Sequence, residues 1–174
     1  DATLGGAGHA AALLEARADL RVLGLDQDPY ALAAAQARLA PFGPRATAIH
    51  ARFDRLASVV AASGAAIQPI VGVLFDLGVS SPQFDRPERG FSYRNEAEID
   101  MRMDTTRGRT AADLVNELPE RELAAVLRRN ADERFAGRIA RAIVAARPLR
   151  TTTELAAVVV EAIPAPARRT GGHP

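Results

Sequence analysis

The 174-residue chain reads as an α/β protein in which a parallel sheet is followed by an all-helical part, and three observations carry that reading. Over residues 1–84 short apolar runs alternate with alanine-rich helical patterns, the mark of successive βα units. Glycines cluster at Gly5, Gly6 and Gly8, where the first run gives way to a helix. From Thr110 the apolar periodicity turns helical, through Ile163.

Taken in order, Asp1–Leu4 reads as the tail of a strand, followed by a helix over Ala10–Ala16 with Leu13 and Leu14 on its buried side. The next strand is Arg21–Asp26. A helix over Pro29–Leu39 follows, with Asp28 able to cap its first turn and Pro29 at a position that needs no donor. Further strands are predicted at Arg45–His50 and Ile70–Leu77. Residues 85–109 break the pattern with six arginines against six acids, a balance that suggests an ordered, ion-paired loop pinned by Phe91, Tyr93, Met101 and Met103. Four helices are expected beyond it, at Thr110–Asn116, Pro119–Arg129, Glu133–Arg147 and Thr152–Ile163, the last opening on a Thr151/Glu154 capping box. In the third, Phe135, Ile139 and Ile143 form an apolar stripe beside a basic one of Arg134, Arg138 and Arg141. The chain thus divides into a ligand-binding part over 1–84, a charged motif loop over 85–109 and a helical part over 110–174.

With 48% hydrophobic residues the composition supports a buried core. A formal net charge of +1 neither demands nor excludes an anionic polymer as partner, so local patches must carry that argument. The absence of cysteine removes disulfides, thiolate ligands and a cysteine nucleophile. No apolar run is long enough to span a bilayer, and a cytoplasmic enzyme is the default reading. His9, His50 and His173 have no partners at metal-ligand spacing, so no metal site is expected.

In open parallel sheets ligands collect beyond the carboxyl ends of the strands, where Gly5–His9, Asp26–Asp28 and Asp76–Ser81 should converge. The glycine cluster alone is explained equally well by a plain strand-to-helix turn. Asp26, eighteen residues after Gly8 and at a strand end, shifts the balance, because an acid there can accept both ribose hydroxyls of an adenosine cofactor. That pairing fits a nicotinamide dinucleotide as well as S-adenosylmethionine. Asp76 ends the strand expected beside the first, with Ser80, Ser81 and Gln83 adding polar groups; a lone Asp-Leu-Gly is otherwise a helix cap before a Pro82 turn. Phe53 suits an adenine ring or ordinary core packing equally. The basic stripe, with Arg128 and Arg129, suits phosphates, though Asp132 and Glu133 dilute it; Phe91 and Tyr93 suit stacking on an unpaired base or anchoring of their loop.

The segments Asp76-Leu-Gly-Val-Ser-Ser-Pro-Gln83, Glu88-Arg-Gly-Phe-Ser-Tyr93 and Asp100-Met-Arg-Met-Asp104 together resemble the RsmH (MraW) family. Asp1-Ala-Thr-Leu-Gly5, Leu25-Asp-Gln-Asp-Pro29, Glu133-Arg-Phe-Ala136, Arg138–Ile143 and His173-Pro174 extend the likeness, in family order, over essentially the whole chain. It implies a Rossmann-like S-adenosylmethionine-dependent methyltransferase sheet, incomplete here, with an inserted all-helical domain from about Thr110. It implies methyl transfer to the N4 amine of a cytidine in bacterial 16S rRNA, with the assembled small subunit as substrate. By the same likeness Gly6, Ala7, Gly8 and His9 line the cofactor turn, Asp26 takes the ribose, Phe53 lies near the adenine, and Asp76 and Gln83 face the methyl group. Asp76 is the expected catalytic residue, holding the amine by a hydrogen bond, while Phe91, Tyr93, Arg134 and Arg138 meet the RNA. Ala7 departs from the glycine that many members carry, which crowds the backbone approach.

Family members also have a further N-terminal segment, and past the His-Pro they continue with the remaining strands and a Phe-His-Ser-Leu-Glu-Asp signature. The chain is therefore expected to be a fragment with exposed apolar surface. The alternatives are a non-catalytic RNA- or ribosome-binding remnant and an NAD-dependent oxidoreductase, the latter disfavoured because no hydride-site acid or base follows the nucleotide fold. Nothing in the residues addresses the oligomeric state.

Overall fold

The computed structural model describes residues 1–64 and 69–168; the closing His173-Pro174 of the family likeness lies outside them. The chain forms two compact units, the first from residues 1–80 with 103–107, the second from 81–102 with 108 onward. The charged stretch 85–109 is thereby shared between them.

In the first unit, β1 (Val22–Asp26) and β2 (Ala46–His50) pair in parallel, in register from Val22↔Ala46 to Asp26↔His50. Asp1–Leu4 runs along the other side of β1, as expected of a strand tail. The Asp1 amine donates to Leu23 O at 2.9 Å, Leu25 N to Asp1 O at 2.8 Å and Leu4 N to Leu25 O at 2.8 Å. Gly24 allows that approach, because a β-carbon there would sit 2.5 Å from the buried Leu4 side chain. Helices α1 (Gly8–Ala16) and α2 (Pro29–Leu39) close one core with these strands, built from Leu4, Ala7, Ala10, Leu14, Val22, Leu32, Ala35 and Leu39. Alanines at the buried positions remove little volume, so helix and strand backbones approach closely. The Asp28 cap and the Pro29 start of α2 are present as predicted, Tyr30 N donating to Asp28 Oδ1 at 3.0 Å. A short helix, α3 (Leu56–Ala62), follows a single 3-10 turn at Phe53–Arg55.

Three sequence expectations change here. Helix α1 begins at Gly8 rather than Ala10, and Leu13 is 42% exposed while Ala10, Ala11 and Leu14 face the core. Ala10, Ala11 and Leu14 share one face at i, i+1 and i+4, and Leu13, about 100° around the helix from Leu14, turns out of it. Ile70–Leu77 is not a regular strand. Among the described residues it shares one main-chain hydrogen bond with Asp1–Leu4, Ala2 N to Leu74 O at 2.9 Å, and Asp76 N goes to the Thr3 hydroxyl at 2.7 Å instead. A parallel ladder needs evenly repeated main-chain bonds and cover on both faces, whereas Ile70, Val71, Val73, Leu77 and Val79 are exposed.

The second unit is helical. α4 (Ser81–Asp85) opens it, and α5 (Ala111–Glu117), α6 (Glu120–Ala131), α7 (Ala136–Ala146) and α8 (Thr152–Ala162) enclose Ile99, Val115, Leu123, Ile139, Ile143 and Leu149; α9 (Ala165–Arg168) follows. Two capping boxes start α5 and α8, Thr110 with Asp113 and the predicted Thr151 with Glu154. α7 starts three residues later than predicted. Asp132 takes a left-handed conformation at the end of α6, and the Glu133 carboxylate accepts from Phe135 N at 2.6 Å, so this stretch turns before the helix begins. Arg134 and Phe135 thus precede the helix that Arg138 belongs to. The expected anchors of the charged loop also shift: Tyr93 and Met101 are exposed, and Ile99 is the side chain that enters the core.

Candidate functional site

The glycine turn after Leu4 gives the site its floor. Gly5 (φ 52°) and Ala7 (φ 61°) both take left-handed conformations, and α1 starts at Gly8 with no side chain capping its first amides. A β-carbon built on Gly5 or Gly6 would meet nothing within 4 Å, so the backbone there faces open space. Ala7 is fully buried, and its methyl group belongs to the core rather than to this open face.

Asp26 closes the turn from β1. Its Oδ2 accepts from Gly5 N at 2.7 Å and its Oδ1 from Asp28 N at 2.8 Å, while its main-chain oxygen accepts from Ala51 N at 2.9 Å. An ionised carboxylate offers about four acceptor positions, and these two amides leave about half for a pair of vicinal hydroxyls. The predicted juxtaposition of Gly5 and Asp26 is therefore a direct hydrogen bond.

Asp76 reaches the same end of the unit through the hydrogen bond that its main-chain N–H donates to the Thr3 hydroxyl. Its Oδ2 lies 4.0 Å from His9 Nδ1, and both side chains are more than 60% exposed. An exposed pair at that distance adds little stability and leaves both groups accessible to a ligand. Phe53 meets Phe75 edge-to-face with ring centroids 6.0 Å apart, next to Asp76 in sequence, and both rings are nearly half exposed. Gly6, Ala7, Gly8, His9, Asp26, Phe53 and Asp76 thus all belong to the first unit.

A group that the sequence reading did not single out sits beside His50, at the end of β2. Asp104, only 8% exposed, accepts from Thr106 N at 3.0 Å, from the Thr106 hydroxyl and from Arg107 Nε. Burial pushes its carboxyl up, but the Thr106 and Arg107 hydrogen bonds outweigh that and hold it below the usual carboxylate range. His50 Nε2 is 3.6 Å from Asp104 Oδ2 and 3.0 Å from Gln27 O, and Gln27 Nε2 donates to Met103 Sδ at 3.1 Å. The available signal was the second acid of Asp100-Met-Arg-Met-Asp104, close in sequence to a threonine and an arginine able to satisfy it.

Gln83, Phe91, Tyr93, Arg134 and Arg138 belong to the second unit. Gln83 is buried in α4. The Arg89 guanidinium lies 5.9 Å over the half-buried Phe91 ring, and Tyr93 is exposed. Arg134 stacks on Phe135 at 4.5 Å, Arg138 is exposed, and Arg141 pairs with Glu120 at 3.4 Å. The basic stripe is therefore divided between a stacked, an open and a paired arginine. Among the described residues no group of three or more His, Asp or Glu is placed to hold a metal ion, and no helix is long and apolar enough to cross a membrane.

Comparison with known proteins gives consistent similarities. The model of the MraW methylase family matches residues 1–174. A "Ribosomal RNA small subunit methyltransferase H" of Mycobacterium tuberculosis (strain ATCC 25618 / H37Rv) is 54% identical over 178 residues, covering 100% of this chain and 45% of that protein. The protein of the same name from Mycobacterium sp. (strain KMS) is 53% identical over 174 residues, covering 100% of this chain and 46% of its own length. The chain spans about half the length of the curated relatives it matches.

Proposed function

Since the chain belongs to the MraW methylase family, we propose that it is part of an S-adenosylmethionine-dependent enzyme methylating the N4 amine of a cytidine in 16S rRNA. The substrate on this reading is the small ribosomal subunit in the cytoplasm; the relatives' name supports small-subunit rRNA as the target. The carrying observation is the Gly5–Asp26 hydrogen bond, which joins an open glycine turn to an acid with free acceptor capacity. On this reading β1, β2 and Asp1–Leu4 are part of a Rossmann-like methyltransferase sheet, and the helical second unit is an inserted domain that captures RNA.

The residues fit the cofactor. The open face at Gly5 and Gly6 admits a ligand against bare backbone, and the first amides of α1 carry the partial positive charge that suits the methionine carboxylate. Asp26 takes the two ribose hydroxyls with its remaining lone pairs, and Phe53, propped edge-on by Phe75, covers the adenine. When bound, the cofactor supplies an electrophilic methyl group on a sulfonium. Most of the rate then comes from holding the acceptor amine in line with that methyl, since little covalent work remains for the protein.

Asp76 does the holding. The lone pair of cytosine N4 is delocalised into the ring, and a carboxylate accepting one N–H of the amine turns the nitrogen toward the methyl. After transfer the cationic methylated nitrogen would release one of its protons to water, restoring a neutral amine. The target base must be out of its stack, and Phe91 and Tyr93 are the aromatic side chains assigned to it, Arg134 and Arg138 to phosphates, Gln83 to the methyl-bearing end of the cofactor.

The test is methyl-label transfer to small subunits by the protein at the full length of its relatives. Label is expected in 16S rRNA as N4-methylcytidine, with Asp76→Asn slowing single turnover by about 100-fold or more. Normal turnover by Asp76→Asn would remove the assigned role. RNA binding with steep salt dependence but no label transfer would favour the non-catalytic RNA-binding alternative.

A further inference from the structure

We propose that His50 and Asp104 are positioning residues: they brace the Asp26–Gln27–Asp28 turn and thereby set the Asp26 carboxylate for the ribose hydroxyls. The inference rests on the reading of Asp26 as the ribose acceptor. Asp26 and His50 are register partners across β1 and β2, so their side chains leave the strand ends on the same face of the sheet.

The chemistry of the contact assigns the imidazole proton. A main-chain carbonyl only accepts, so the 3.0 Å contact between His50 Nε2 and Gln27 O requires the proton on Nε2. Asp104 Oδ2 lies 3.6 Å from that nitrogen, a negative charge beside the N–H that Gln27 O accepts. Asp104 is itself held by Thr106 and Arg107, so the brace is anchored behind as well as in front. Gln27 is held a second time through its side chain, by Met103.

The link to Asp26 is the planarity of one peptide. Gln27 C=O and Asp28 N–H belong to the same rigid unit, and that N–H is the donor to Asp26 Oδ1 at 2.8 Å. When His50 grips the carbonyl, it therefore fixes the direction of the amide that orients the carboxylate. Without the brace the plane can rotate and Asp26 loses one of its two orienting donors, while the Gly5 turn and the core beneath it are untouched. The second acid of the Asp100–Asp104 motif thus acquires a task at the cofactor edge through residues 103–107, which belong to the first unit.

The experiment compares binding of S-adenosylhomocysteine with binding of its 2′,3′-dideoxy analogue, by calorimetry, in the parent protein, His50→Ala, His50→Gln and Asp104→Asn. The parent should prefer the ligand with hydroxyls. His50→Ala and Asp104→Asn should shrink that preference by about fivefold, the size of one lost orienting hydrogen bond. Affinity for the dideoxy analogue should change less than about twofold, and His50→Gln, which keeps an N–H donor, should restore most of the preference. Circular dichroism checks folding; if Asp104→Asn does not fold, the two His50 variants decide. Equal weakening for both ligands would mean a merely structural role and overturn the brace alone. A parent protein that binds neither ligand, or binds both equally, would instead overturn the ribose reading on which the brace depends.

Discussion

The charged stretch of the second unit and the glycine-turn end of the first treat their polar groups in opposite ways. In the second, the charged stretch turns inward on its own chain: Arg102 pairs with Asp100 at 2.7 Å, Arg89 donates to Arg102 O at 3.0 Å, and α5 and α8 start on capping boxes. In the first, α1 begins without a side-chain cap, Asp26 keeps spare acceptor capacity, and His9 and Asp76 stand exposed near each other. Satisfied polar groups build a scaffold. Polar groups left with capacity, at one end of a sheet, mark where a ligand belongs.

The sharpest way to break that contrast is at Gly90. Its φ is 70°, and a β-carbon there would lie 2.6 Å from both Asp100 N and Glu98 O, main-chain atoms that cannot swing aside. Gly90→Ala should destabilise the second unit by about 3 kcal/mol, combining the left-handed penalty with overpacking. Denaturant unfolding followed by helical circular dichroism measures this. A loss under about 1 kcal/mol would mean that the loop is not part of the scaffold.

A smaller effect is expected at the caps. The Thr110 hydrogen bonds hold the Asp113 carboxyl below the usual range, and the Arg150 and Thr151 amides do the same for Glu154. A carboxyl lowered by folding contributes stability that is complete above its unfolded value, near pH 4, and is lost as pH falls through the folded value. Helicity of the second unit should therefore decline as the solution is acidified below about pH 4. Thr110→Ala or Thr151→Ala should each cost about 1 kcal/mol at neutral pH and flatten that decline. Acid titrations of parent and variant that superimpose would contradict the assignment.

The smallest effect is expected at Ala7. Ala7→Gly relieves a left-handed strain of about 1–2 kcal/mol, but loses about 0.8 kcal/mol of methyl burial and loosens the unfolded chain by about 0.4–1 kcal/mol. Thermal stability should thus stay within about 1 kcal/mol of the parent. A loss above about 2 kcal/mol would show that the methyl group is needed to complete the core.

Much of the first unit could be read from the residues. Glycine position, a strand ending in Asp26 and an Asp-Pro helix start are local signals with local causes, and each appears where it was expected. Signals that needed tertiary context failed. Ile70–Leu77 has the composition of a buried parallel strand, but its regular pairing depends on neighbours, not on its own residues. Arg134 and Phe135 carry helical periodicity, yet the Glu133 carboxylate captures the Phe135 amide first. Ile99, the one branched aliphatic side chain in residues 85–109, was hidden among more conspicuous aromatics and methionines. The division of residues 103–107 from the rest of their loop left no composition signal, since burial of Asp104 depends on Thr106, Arg107 and a histidine fifty-four residues earlier.

The central claim is that the glycine turn and Asp26 form one cofactor site, and calorimetric titration of S-adenosylmethionine into the protein, beside Asp26→Ala, tests it most directly. Saturable binding to the parent that is lost in a folded Asp26→Ala is the predicted result. Binding of equal strength to both would contradict the claim, because it would place the cofactor away from the acid that the Gly5 amide holds in place.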